Sequence, residues 1–239
     1  MRVLRLLDMY CGEGGAGYGY HLAGWQVVGI DKNPRALRRY PFPCFCADAL
    51  DLPEWFLAGF DAFHASPGCQ FGTEMRFAKN AKGADGHLNL IPPTRALLKR
   101  LGKPYVIENV RAVRPHLIDP ISLHGQMFDL HMVTSTGQRF DLDRERLFET
   151  NWPVNQPWHP GKTNPVANVF GGHLRNRSAR HGGRKTRDFI DEDKPALARA
   201  LMGMSWASMN GLSEAVPPAY TQSIGDQLIS HLQQGRAAA

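Results

Sequence analysis

A short apolar run from Val3 to Asp8 breaks at an acid and enters Met9-Tyr10-Cys11-Gly12-Glu13-Gly14-Gly15-Ala16-Gly17. Glycines at this density let a backbone turn sharply and approach a ligand without side-chain collision. Gln26 to Asp31, bounded by Gly24 and Pro34, reads as a second strand and again ends in an acid. From that position a carboxylate can accept hydrogen bonds from ribose hydroxyls. Alone, the glycine bend is ambiguous. Nucleotides, flavins, methyl donors and ordinary tight turns all use one.

The alternation continues. Tyr18 to Gly24 fits a helix between the first two strands, and Arg35 to Tyr40 a shorter one. Pro43 to Cys46 is a weak third strand, and Asp61 to Ala65 a fourth, stopped by Pro67 and Gly68. Gly72 to Asn89 has little apolar periodicity and reads as a loop. Pro93 to Leu101 follows as a helix with proline in its first turn, then Tyr105 to Glu108 as a buried strand. This order predicts an α/β sheet with crossover helices and disfavours an antiparallel barrel. From about Asn151 to Arg187 the chain reads as irregular, marked by Trp158, Pro160, Gly161 and Pro165. Residues 171–187 hold six Lys or Arg and no Asp or Glu, so this run faces either phosphates or plain solvent. Pro195 to Met202 has helical spacing, as does Tyr220 to Leu232 through Ile224, Leu228 and Leu232.

With 239 residues, 43% of them hydrophobic, the chain is long and apolar enough for one core with a small attached lobe. That excludes a wholly disordered chain and a disulfide-stapled mini-protein. A net charge of +6 points to a polyanion as partner. Cys11, Cys44, Cys46 and Cys69 make no CxxC pair, which argues against structural zinc and for a reduced intracellular chain. No apolar run is long enough for a spanning helix, so neither export signal nor membrane anchor is expected.

Single residues leave alternatives open. Cys69, after a predicted strand, is either a small buried hydrophobe or an exposed nucleophile. Glu108 is either a solvated strand-end acid or a proton carrier. Arg144 and Arg146 form either a hydrated edge or an anion clamp. Asp48 is either a helix cap or a ligand.

Taken in order, Asp8 to Gly15, Gly29-Ile30-Asp31, Ser66-Pro67-Gly68-Cys69-Gln70, Glu108-Asn109-Val110, Arg144-Glu145-Arg146 and Pro217-Pro218-Ala219-Tyr220 narrow the choice. Together they resemble the DNA cytosine-5 methyltransferase family, in particular short phage or bacterial members. The resemblance implies a Rossmann-like S-adenosylmethionine-dependent methyltransferase fold with a reduced second lobe. Residues 1–150 would form the catalytic domain, 151–205 a small target-recognition lobe, and 206–239 a segment returning to the catalytic domain.

The implied cofactor is S-adenosyl-L-methionine, with Asp8, Tyr10, Cys11, Gly12, Gly14, Gly15, Asp31, Lys32, Asp48, Ala49 and Tyr220 around it. Tyr10 would lie near the adenine, Gly12 and Gly14 beside the methionine part, Asp31 on the ribose and Asp48 near the adenine amino group. A nicotinamide cofactor explains less, because hydride transfer leaves Cys69 and Glu108 without a task. Cys69 matches the attacking thiol, Glu108 the acid facing cytosine nitrogen 3, and Arg144 and Arg146 the paired arginines of the family. Ser66, Pro67 and Gln70 would meet the substrate base, and Arg175 and Arg184 the target bases or backbone. Arg76, Lys79 and Lys82 would steady nearby phosphates.

The implied partner is double-stranded DNA with a flipped cytosine, with another recognition or restriction protein as a companion. The setting would be the cytoplasm of a bacterial cell or phage-infected host, without membrane or metal. Free nucleotide, RNA, and a noncatalytic DNA-binding role are the alternatives. Gly68, Leu142 and Asp226 depart from the family pattern.

Overall fold

Parallel pairing of β1 (Arg5–Met9) with β2 (Gln26–Asp31) sets the frame, with Asp8 opposite Gly29. Between them runs α1 (Gly15–Leu22), which starts three residues before the predicted Tyr18. Gly14, at φ 89°, makes the left-handed turn that admits the early start. The structure, a computed structural model, describes residues 2–70, 88–161, 164–177, 189 and 193–237. Arg76, Lys79, Lys82 and Arg184 lie outside the described residues, as do residues 72–87 of the predicted loop.

Next come α2 (Pro34–Leu37), β3 (Cys44–Cys46), α3 (Glu54–Leu57), β4 (Ala62–Ala65), α4 (Ile91–Leu101) and β5 (Tyr105–Asn109). A largely antiparallel part follows, with β8 and β10 paired in parallel: β6 (Ile121–Leu123), β7 (His131–Val133), β8 (Arg139–Leu142), β9 (Arg146–Thr150), β10 (Val166–Phe170) and β11 (His173–Arg177). Three helices close the chain: α5 (Lys194–Met202), α6 (Met209–Glu214) and α7 (Pro218–Ala237).

The main sheet has the order β3-β2-β1-β4-β5-β9-β6. Strands β1 to β5 are parallel, while β9 runs against both β5 and β6. Leu6, Leu7, Phe63, Val106 and Ile107 are fully buried, because helices cover both faces of a parallel sheet. On one face α1 and α7 pack over Leu6, Ala62 and Val106. On the other, α3 and α4 pack over Leu7, Phe63 and Ile107. Strand order reverses direction between β1 and β4, and the crevice at the carboxyl ends of such a pair is where open α/β sheets bind ligands.

A second sheet, β11-β10-β8-β7, draws strands from residues 131–142 and 166–177 and packs with α5 and α6. Part of the predicted irregular stretch is therefore a hairpin, β10 to β11. Gly171 and Gly172, at φ 59° and 75°, make its tight turn, the backbone twist that a two-residue hairpin requires. Among the described residues no helix is long and apolar enough to cross a membrane, and no cluster of three or more His, Cys, Asp or Glu could hold a metal ion.

Beneath α4, Arg95 donates through Nε and Nη2 to the two carboxylate oxygens of Glu149, each at 2.6 Å. The Ile118 backbone N–H adds a third bond to Glu149, which is 1% exposed. Removing one member strands the other charge. Glu149→Ala is expected to lower the unfolding free energy by about 3 kcal/mol, read as an earlier urea midpoint at unchanged slope.

Candidate active site

The crevice between β1 and β4 is floored by the glycine bend. Tyr10 and Gly12 both take left-handed backbone conformations, at φ 59° and 53°. Asp31, at the end of β2, fixes that shape: Oδ2 accepts the Gly12 N–H at 2.8 Å and Oδ1 accepts the Asn33 N–H at 2.8 Å. A methyl group built on Gly12 would meet nothing within 4 Å, so this side of the bend is open to a ligand. Beside it lies a cavity of about 120 Å³ lined by Tyr10, Asp31, Lys32, Ala47 to Leu50 and Leu90. Asp48 pairs with Lys32 at 2.7 Å. That ammonium and the Leu50 N–H hold the Asp48 carboxyl below the usual range. Tyr10 turns its hydroxyl to Thr94, 2.9 Å away. An aromatic ring, apolar walls, and carboxylates with lone pairs to spare fit an adenine nucleoside.

Of the other sequence-predicted cofactor residues, Asp8, Cys11, Gly14 and Gly15 shape the bend from behind, whereas Tyr220 contacts Phe128 and Arg144 instead. Asp8 is fully buried and accepts from the Tyr40 hydroxyl at 3.0 Å. Burial pushes its pKa up to about 7, against the pull of the Tyr40 bond and with added repulsion from Asp31. Cys11 is buried, its thiol pushed far up by burial and by Asp8 and Asp31. A side chain on Gly14 would strike Pro41 and Tyr40, and one on Gly15 the Val216 carbonyl. Tyr220 is buried in α7, its ring beside Phe128 and its hydroxyl donating to the Arg144 carbonyl at 2.5 Å.

Glu13 has a task that no sequence signal announced. Its carboxylate accepts the Ser208 N–H at 2.7 Å and the Ser208 hydroxyl at 2.5 Å, while the Trp206 indole donates to its carbonyl at 2.7 Å. The glycine bend is thus latched to the start of α6, where Ser208 is the N-cap.

The segment Ser66-Pro67-Gly68-Cys69-Gln70 leaves the carboxyl end of β4. Buried Asn109 donates from Nδ2 to the Pro67 carbonyl at 2.8 Å and so ties this turn to β5. Gly68 is exposed and lies outside the left-handed region, so the turn does not depend on glycine there. Gln70 is exposed. Cys69 is half-buried, and burial pushes its thiol up while Arg146 pulls it down and Glu108 pushes it up again. Glu108 is 5% exposed, with Arg146 Nε 3.1 Å from its Oε1. Burial raises the Glu108 pKa, while Arg146, a hydrogen bond from Ser66 and Arg144 lower it. Behind Ser66, its hydroxyl lies 2.9 Å from His64 Nε2, and His64 Nδ1 lies 3.1 Å from the Tyr20 hydroxyl. Thiol, carboxyl and guanidinium therefore converge at one end of the sheet.

Arg144 stands apart from Arg146. It is 2% exposed, and its guanidinium donates to the carbonyls of Ala215, Ser213 and Val169 and to Asn168 Oδ1. Those bonds use all five of its N–H donors. It joins the small sheet to the end of α6 and offers no donor to a substrate. Leu142 is fully buried in the core of the small sheet, and Asp226 is exposed on α7. Arg175, on β11, lies with its guanidinium 4.6 Å from the Phe170 ring centroid. It lines a hollow of about 580 Å³ together with His173, Lys194 and Met209.

No protein-family model matches the chain, and no curated protein does. Solved structures match its fold. The Dnmt2 methyltransferase of S. pombe does so at 14% identity and a TM-score of 0.63, covering 97% of this chain and 99% of that one. The methyltransferase EhMeth of Entamoeba histolytica does so at 12% identity and 0.60, covering 97% and 99%. A candidate DNA modification methyltransferase encoded within an E. coli prophage does so at 14% identity and 0.59, covering 96% and 99%. The chain has the Rossmann-like α/β fold of these methyltransferases, with a small second lobe.

Proposed function

We propose that this chain methylates carbon 5 of cytosine in nucleic acid, using S-adenosyl-L-methionine and a covalent bond through Cys69. The convergence of Cys69, Glu108 and Arg146 beside the Tyr10–Asp31–Asp48 cavity carries this reading. Tyr10, Gly12, Asp31, Asp48 and Ala49 would hold the donor, which supplies an electrophilic methyl group when bound.

Carbon 5 of cytosine is a poor nucleophile. Cys69 corrects this by adding its thiolate to carbon 6, which makes carbon 5 enamine-like. Glu108 gives a proton to nitrogen 3 and relieves the charge pushed into the ring. Arg146 holds Glu108 in place and lends positive charge to the thiolate and to the adduct. After methylation the carbon-5 proton passes to water, Cys69 leaves as a thiolate, and the nitrogen-3 proton returns to Glu108, which restores aromaticity and resets the site. The site stabilises the charge that develops on attack more than it stabilises the resting base.

We take duplex DNA as the acceptor. The base must leave the stack to reach Cys69. The basic balance of the chain and the prophage-encoded structure of similar fold support this choice. The small lobe around Arg175 would face the target, and Arg144 would position the segment before Arg146. RNA is the second reading, because the three reacting groups act on the pyrimidine ring, which both polymers share.

Labelled donor supplied in parallel with duplex DNA, single-stranded DNA, RNA and free dCMP tests the proposal. The expected result is 5-methylcytosine in digested duplex DNA, and a denaturation-resistant adduct with DNA carrying 5-fluorocytosine. Label only in RNA or only in dCMP would move the acceptor accordingly. Absence of the adduct during active turnover would overturn the covalent mechanism.

A further inference from the structure

A buried polar row crosses the face of the sheet that α1 and α7 cover. His64 and Ser66 are two residues apart along β4 and its extension, so they share a face. Asp8 of β1 is in register with His64, and Glu108 lies two residues beyond Val106, the β5 partner of His64. Leu6, Ala62 and Val106 make the same surface apolar elsewhere. A row of polar groups in such surroundings destabilises the fold unless each finds a partner. Here the Tyr20 hydroxyl, the His64 imidazole and the Ser66 hydroxyl form a hydrogen-bonded chain, and its Ser66 end bears on the Glu108 carboxyl. Of these groups the methylation steps above use only Glu108.

The direction of each bond is forced. While Glu108 is ionised it is an acceptor only, so the Ser66 hydroxyl donates toward it. The Ser66 oxygen then accepts from His64 Nε2–H. A neutral imidazole with its proton on Nε2 has a bare Nδ1, which accepts from the Tyr20 hydroxyl. Burial keeps His64 neutral, pushing its pKa down to about 3. Burial and the nearby charge of Asp8 keep Tyr20 protonated. A protonated Glu108 would donate to Ser66 instead, and the chain would reverse to the Nδ1–H tautomer.

We infer that His64 is a positioning residue that acts through Ser66, aiming a hydroxyl at Glu108 and so setting how readily Glu108 gives up its proton. This rests on the cytosine-5 reading of the site. The other titratable or charged group facing the chain at the Tyr20 end is Asp8 from β1. At the other end stand Arg146 from β9, Arg144 before it, and Cys69 after β4.

The test reads the carboxyl directly, on the full chain without donor or nucleic acid. Infrared titration of ¹³C-glutamate-labelled protein, with the band assigned by Glu108→Gln, gives the Glu108 midpoint. His64→Leu and Ser66→Ala are each expected to raise it by about one pH unit, and the double variant by no more. His64→Gln keeps a donor within reach of Ser66 and returns the midpoint to the wild-type value. ¹⁵N resonances of His64 are expected to pass from the Nε2–H to the Nδ1–H form across that midpoint. If the orphaned Tyr20 hydroxyl unfolds His64→Leu, the Tyr20→Phe/His64→Leu pair replaces it. An unmoved midpoint, a shift in His64→Gln as large as in His64→Leu, or a fixed tautomer would overturn the inference. The limb of the methylation pH profile that follows Glu108 should move with the infrared midpoint. A wild-type protein that methylates no cytosine would sink the catalytic reading and leave the infrared result intact, so the two failures are told apart.

Discussion

Replacing Cys69 by alanine is expected to cut methyl transfer by about four orders of magnitude or more, the scale of loss when a nucleophile is removed. The fold should survive. Cys69 is half-buried in a turn that Asn109 holds through Pro67, and its sulfur belongs to none of the three hydrophobic clusters. Donor affinity should survive as well, because the cavity walls come from Tyr10, Asp31, Lys32, residues 47–50 and Leu90. Single-turnover transfer and calorimetric titration of the donor separate the two effects. Turnover at the wild-type rate would reject Cys69 as the nucleophile. The wild-type rate also has a defined pH direction. Burial raises the thiol pKa more than Arg146 lowers it, so the thiol is protonated at neutral pH before substrate arrives. Below that pKa the thiolate fraction falls tenfold per pH unit, and the rate of attack should climb with pH until the thiol has ionised.

Glu108→Gln is the second large effect. The amide keeps the shape of the side chain but cannot hand a proton to nitrogen 3. The single-turnover rate is expected to fall by about 10²- to 10⁴-fold, the usual range for losing a positioned general acid. Burial raises the carboxyl pKa above that of free glutamate, which keeps a proton available to higher pH. Arg146 loses its ionic partner in this variant, so a modest loss of stability should accompany the loss of rate. Donor binding should be unaffected. An unchanged single-turnover rate would remove Glu108 from the chemistry.

Much of the parallel half was legible because local signals agreed with one another. Gly24 and Pro34 bracket Gln26 to Asp31, and β2 occupies those residues. The later strands were harder to read. Gly171-Gly172 between Val166-Ala167-Asn168-Val169-Phe170 and His173-Leu174-Arg175-Asn176-Arg177 is a hairpin signal, yet the density of charge suggested an open loop. What identifies the hairpin is burial: Ala167, Val169 and Leu174 pack into the small core.

The same limit applied at the site. Arg144 and Arg146, two residues apart, would share a face if both stood on one strand. β9 begins only at Arg146, so Arg144 leaves the strand and turns toward backbone carbonyls. No spacing rule distinguishes two arginines that differ in this way. His64 looks like a polar interruption of the strand Ala-Phe-His-Ala. Its partners lie on another helix and beyond the strand's end, where a linear reading has no access.

The latch between the glycine bend and the carboxy-terminal helices bears on how the protein is made. Glu13 meets Ser208 across 195 residues, and the Trp25 indole meets the Gly225 carbonyl across 200. Thr221 caps the link by donating to the Ala16 carbonyl at 2.9 Å. Contacts of such long range form late and slowly. While the ribosome is still producing the middle of the polypeptide, its opening strands have no lid. The parallel strands of a nascent chain therefore wait for α7 to be made and docked before the sheet face beneath it is covered.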